Sequence, residues 1–142
     1  YFARVQEELE RRGLADRFEY LGAVDLAGKI DFLESIDVLS VPTTYEEPKG
    51  LFALEAMAHG VPVVLPAHGS FPEMVERTGG GTLVAPGDAS ALAEGLHDLL
   101  SDPARARELG EAGQRSVHAE WGDATMARAT VALYRQTLAA PR

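Results

Sequence analysis

A chain of 142 residues, 46% hydrophobic and 25% charged, is long enough to bury a real core and has the composition of an ordinary globular domain. Its net charge of −9 argues against a general nucleic-acid or anionic-membrane surface, although uncharged backbone amides can still form a local phosphate site. The absence of cysteine excludes disulfides, thiolate zinc sites and a cysteine nucleophile, and fits a cytoplasmic protein.

Residues 1–12 are amphipathic and read as a helix, with Gly13 at its C-terminal cap. The chain enters this helix at Tyr1 with no initiator Met, as a piece of something longer would. Phe18 to Leu21 reads as a short strand. Leu26 to Ser35 has helical spacing through Leu26, Ile30, Leu33 and Ile36. Residues 37–41 are a second predicted strand, ending at Pro42. A helix is expected from about Gly50 to His59, closed by Gly60. Val61 to Leu65 is a continuous apolar run, the pattern of a strand buried on both faces. Ser70-Phe-Pro-Glu73 matches a capping box and opens the next helix. Gly81 to Val84 is a further strand. Asp88 caps a helix to about Leu100, Pro103 starts another, and Trp121-Gly-Asp123 precedes a last helix over 123–138. Only the C-terminal Ala-Ala-Pro-Arg looks like linker.

Strands alternating with helices imply βαβ crossovers and a parallel sheet, so the fold class is α/β, a Rossmann-like three-layer domain formed by residues 1–142 as a single domain. Four strands are few for such a sheet. No run approaches the roughly 18 apolar residues of a membrane span, and no signal peptide is visible. Peripheral membrane association of a longer parent stays open.

The segment from Glu47 through Glu55 to Val64 carries the chemistry. The two carboxylates stand eight positions apart, one in a loop behind Pro48 and one in the second turn of a helix. Gly50 stands where that helix begins. A helix N-terminus with little side chain in the way is an anion site, because its first N–H groups are unpaired and the dipole favours negative charge. Carboxylates beside it can accept hydrogen bonds from hydroxyls. Phosphate at the helix end and hydroxyls on the carboxylates together describe a sugar nucleotide.

Glu47-Pro-Lys-Gly-Leu-Phe-Ala-Leu-Glu55 followed by Ala-Met-Ala-His-Gly-Val-Pro-Val-Val64 resembles the donor-binding signature of retaining glycosyltransferases, glycosyltransferase family 4 in particular. His68-Gly-Ser-Phe-Pro-Glu73-Met-Val75 is similar to that family's Gly-Gly-x-Pro-Glu-x-Val. Gly81-Thr-Leu-Val84-Ala-Pro-Gly-Asp88 and Leu92-Ala93 continue the likeness, and the segments 18–24 and 36–42 resemble two family strands. The ordered match spans about residues 18 to 100.

The resemblance implies the C-terminal, nucleotide-sugar-binding half of a GT-B fold, lacking its first strands. It further implies an N-terminal acceptor-binding domain elsewhere in a parent protein, and a hexose-type transfer with retention that uses no cofactor or metal. Glu47 would meet the donor sugar as the catalytic residue, and Glu55 the ribose hydroxyls. Gly50, Leu51 and Phe52 would offer amides to the diphosphate. Gly69 would contact the donor, and Gly22 and Val24 would lie against the base. Lys49 replaces the family's usual aromatic, a departure that either adds a cation near the phosphates or points to solvent. The isolated chain is then not expected to catalyse transfer.

Two other readings remain: a non-catalytic nucleotide-binding or interaction domain, and a sugar-nucleotide epimerase fragment. A nicotinamide-binding domain would need Gly-x-Gly-x-x-Gly after a strand, whereas Gly79-Gly-Gly81 is followed by one. The four histidines lack metal-ligand spacing, and His59 and His68 have no serine or cysteine partner in a recognisable arrangement.

Overall fold

A computed structural model of the chain describes residues 1–139, so of the expected C-terminal linker only Ala139 falls within the described residues. The chain forms two compact units, Tyr1–Ile30 and the residues from Asp31 onward. Among the described residues are seven α-helices and a three-stranded parallel sheet.

In the first unit, α1 covers Phe2–Arg11 and Gly13 follows with φ +67°. The strand expected at 18–21 does not form. A 3₁₀ turn at Ala15–Arg17 leads into irregular chain. A strand exists only through ladder bonds to a neighbour, and these residues make none. Their aromatic side chains pack locally instead, with the Phe2 ring 4.2 Å from Tyr20 and 6.2 Å from Phe18. The helix α2, Leu26–Ser35, runs from the first unit into the second.

The second unit is built around β2, Val63–Pro66, whose four residues are all buried. On one side β2 pairs in parallel with β1, Leu39–Ser40, and on the other with β3, Gly81–Val84. A strand with neighbours on both edges and helices on both faces has no solvent side, which is why its sequence is an unbroken apolar run. A Cβ at Gly81 would overlap the Val63 carbonyl, so only glycine lets β3 close against β2 here.

Between the strands run α3, Leu51–Ala58, and α4, Phe71–Thr78. Ala53, Ala56 and Met57 form the buried stripe of α3, at the spacing of one helix face. With Leu33, Val63, Leu65, Phe71 and Met74 they make the main core. The helix α5, Ala89–Ser101, is capped by Asp88, which accepts the Ser90 and Ala91 amides at 2.9 and 3.0 Å. The helix α6, Pro103–Glu120, packs on α3, with Gly113 against Met57 and Gly110 against Gly60 just past the end of α3, and α7 covers Asp123–Ala139. No described helix is long and apolar enough to cross a membrane.

The capping box expected at Ser70–Glu73 is absent. Ser70 has helical backbone angles (φ −81°, ψ −11°) rather than the extended ones a capping serine needs. Its hydroxyl is buried without a partner. Glu73 points its carboxylate forward to Arg77, 3.4 Å away.

Candidate functional site

The site lies where the loops after β1 and β2 meet the start of α3, at the C-terminal edge of the sheet. Open α/β sheets bind ligands at this edge. Gly50 sets the geometry. It is buried at the N-cap of α3 with φ +61° and ψ +38°, a left-handed conformation that costs other residues about 1–2 kcal/mol. A Cβ there would also stand 2.9 Å from both Met74 Cε and Phe71 Cε1. The start of α3 thus sits against the core with no side chain of its own in the way.

Glu47 folds back onto this turn. Its Oε1 accepts the amides of Gly50 at 3.0 Å and Lys49 at 3.1 Å, and its Oε2 accepts the Tyr45 hydroxyl at 3.2 Å. These bonds, the Gly50 amide first, hold the carboxyl below its ordinary value, so it stays ionised. The same contact pushes the Tyr45 phenol up, since the hydroxyl must keep its proton to donate.

The N-cap Gly50 has no side chain with which to cap α3, and the amides of Leu51 and Phe52, the first two inside it, have no intrahelical acceptor. The Gly50 amide is engaged by Glu47, so the helix offers an anion these two amides and the dipole behind them. Glu55 is half-buried one turn on from Leu51, on the face that Leu51 leaves exposed.

The loop after β2 is held against Glu47 by backbone. The Ser70 amide donates to the Glu47 carbonyl at 2.9 Å. Gly69 lies so close that a Cβ would stand 2.5 Å from that oxygen and 2.6 Å from the Glu47 nitrogen, and its φ is +58°. Lys49 is exposed. With Leu51, Ser70, Met74 and Trp121 it lines a cavity of about 530 Å³. Gly22 and Val24 belong to the first unit, Gly22 at φ +68° and Val24 exposed just before α2; their assignment rests on the resemblance alone. Among the described residues no group of three His, Asp or Glu side chains is arranged to hold a metal ion.

Glu47, Lys49, Gly50, Leu51, Phe52 and Gly69 therefore come together in one loop cluster, with Glu55 one helical turn away. The sequence singles out neither Tyr45 nor Thr43, and it offers His68 no serine or cysteine partner in a recognisable arrangement. Tyr45 sits two residues from Glu47, a spacing visible beforehand. Thr43 and His68 are 25 residues apart and bond at 3.0 Å, which no local pattern announces.

A Rossmann-like parallel sheet with an uncapped helix N-terminus and a carboxylate folded onto it defines the class of domain. Residues 1–116 match the family model described as glycosyl transferases group 1, and the chain belongs to that family. It is 35% identical over 139 residues to a D-inositol 3-phosphate glycosyltransferase of Streptomyces avermitilis, covering 97% of this chain and 29% of the relative. It is 33% identical over 114 residues to a Corynebacterium glutamicum enzyme, a GDP-mannose-dependent monoacylated alpha-(1-6)-phosphatidylinositol monomannoside mannosyltransferase, covering 76% of this chain and 30% of the relative. Among solved structures it resembles a sucrose-phosphate synthase of Thermosynechococcus elongatus at 37% identity and a TM-score of 0.84, over 98% of this chain and 35% of that one. The chain thus spans about a third of the length of such relatives, and its fold is that of the C-terminal half of a GT-B glycosyltransferase.

Proposed function

We propose that this chain is the donor-binding domain of a glycosyltransferase that takes a hexose-type sugar from a nucleotide diphosphate and transfers it with retention. The observation that carries the reading is the uncapped start of α3 beside an ionised, hydrogen-bonded Glu47. The diphosphate would lie on the Leu51 and Phe52 amides, and Gly50 would contribute the absence of a Cβ. Lys49 would add a cation. As the diphosphate leaves, these fixed dipoles stabilise the charge that develops on it.

Glu47 would accept hydroxyls of the donor sugar and face the positive charge growing at the anomeric carbon. Glu55 would accept ribose hydroxyls. No cofactor or metal is required in this scheme. The acceptor and its binding groups would be supplied by an N-terminal domain of a parent protein. The name of the Corynebacterium relative, with its GDP-mannose dependence, supports a nucleotide sugar as the donor class.

The test is steady-state kinetics of the full-length parent. Losing a charged hydrogen bond costs about 1.5–3 kcal/mol, roughly ten- to a hundredfold. Glu47→Ala should lower turnover more than donor affinity, and Glu55→Ala should mainly raise the donor KM. The 142-residue chain alone should show no transfer. Near-wild-type constants for both variants, with unchanged circular dichroism, would remove the donor-site reading.

A further inference from the structure

His68 stands at the start of the loop after β2, immediately before Gly69. Its amide donates to the Pro66 carbonyl at 2.8 Å, which turns the chain sharply out of the strand. Its ring is half-buried, 6.2 Å from the fully buried Phe71 ring. Nε2 lies 3.0 Å from Oγ1 of Thr43. Thr43 is itself buried, at the head of the loop that descends to Glu47. The two loops are otherwise joined by the bond from the Ser70 amide to the Glu47 carbonyl and by the close approach of Gly69 to the Glu47 backbone. The imidazole–hydroxyl bond is the side-chain tie at the far end of the same seam.

We propose that His68 is a positioning residue, which locks the loop after β2 to the loop after β1 through Thr43 and so holds the Glu47 carboxylate on the amides of Lys49 and Gly50. This rests on the donor-site reading for its catalytic meaning, but the lock itself is a property of the fold. Glu47 reaches those amides from a loop that has no regular structure of its own. Its backbone can keep that path only if something outside the loop fixes both ends. Gly50 and α3 fix one end in the core. Thr43, held by His68, fixes the other.

The lock has a readout that needs no ligand. The Glu47 carboxyl is held low by its bonds to the Gly50 and Lys49 amides, so its NMR titration reports whether they persist. The amide exchange of Ser70 reports whether the two loops stay joined. In His68→Leu and in Thr43→Val, Glu47 should titrate closer to the ordinary 4.5. Ser70 exchange should rise about tenfold, the size of one net hydrogen bond. His68→Gln, whose amide can bond to the Thr43 hydroxyl, should restore both. The double variant His68→Leu/Thr43→Val should be no worse than either single one, because both remove the same bond.

Glu47 titration and Ser70 exchange unchanged in His68→Leu would overturn the proposal. So would equal effects of His68→Leu and His68→Gln, which mean that the ring acts by packing alone. A second arm measures binding of UDP, GDP and ADP to the same chains by calorimetry. If one of them binds wild type, His68→Leu should weaken it about tenfold and His68→Gln should not, as expected for one hydrogen bond lost at a distance. If none binds while the Glu47 titration still moves, the lock stands and the donor reading is what suffers.

Discussion

Replacing Gly69 by alanine tests how the site loop is held. Two costs are expected. The residue has φ +58°, and a Cβ in the left-handed region costs about 1–2 kcal/mol. The new Cβ would also stand 2.5 and 2.6 Å from the Glu47 oxygen and nitrogen, both backbone atoms that cannot swing aside. The loop must move, and the bond from Ser70 to Glu47 at 2.9 Å goes with it, for a further 0.5–1.5 kcal/mol or about that. The sum is about 1.5–3.5 kcal/mol. Gly87→Ala is the internal control. Its φ is +73°, but nothing lies within 4 Å of where its Cβ would be, so it carries the conformational cost alone. Both substitutions restrict the unfolded chain by the same amount, roughly 0.4–1 kcal/mol, and that term cancels between them. Urea unfolding should therefore show Gly69→Ala less stable than Gly87→Ala by about 1 kcal/mol or more, a midpoint difference near 0.5 M at an m value of about 2 kcal/mol/M. Equal midpoints for the two variants would refute the claim that Gly69 is required by its contact with Glu47.

Two further outcomes follow from the geometry. The Glu47 carboxyl has its folded pKa below the unfolded value, so its contribution to stability is complete above about 4.5 and disappears as pH falls through the folded pKa. Glu47→Gln should flatten the acid limb of a stability-against-pH curve while leaving the neutral region little changed in slope; an unaltered acid limb would show that the amide bonds do not persist in solution. Gly110→Ala should be strongly destabilising, by about 2 kcal/mol or more, because its Cβ would overlap the Gly60 carbonyl and force α6 off the end of α3. Thermal unfolding measures this, and a melting temperature within a degree or two of wild type would contradict the packing described.

Much of this molecule is legible in one dimension because the relevant physics is local or periodic. The run Val61 to Leu65 announces a strand covered on both faces, and β2 is the fully buried centre of the sheet. Leu26 to Ser35 has helical spacing, and α2 has those bounds. Asp88 and Pro103 mark helix starts because a short carboxylate and a missing N–H favour those positions in any context. The carboxylate spacing and the glycine at the head of α3 place the candidate site, and six motif residues do converge there. Tertiary structure decided the rest. Phe18 to Leu21 has strand composition, but a strand needs a ladder partner and composition cannot supply one. Ser70 and Glu73 have capping-box spacing, yet the bond from Ser70 N–H to Glu47 accompanies a helical backbone at Ser70 that turns its hydroxyl inward. The Gly50 amide looks free in the sequence, and only the fold shows that Glu47 takes it. The pairing of Thr43 with His68 spans 25 residues and exists because β1 and β2 lie side by side in parallel, which brings their C-terminal ends to one edge. Side chains that meet only through a strand register leave no trace in the spacing of the chain that carries them.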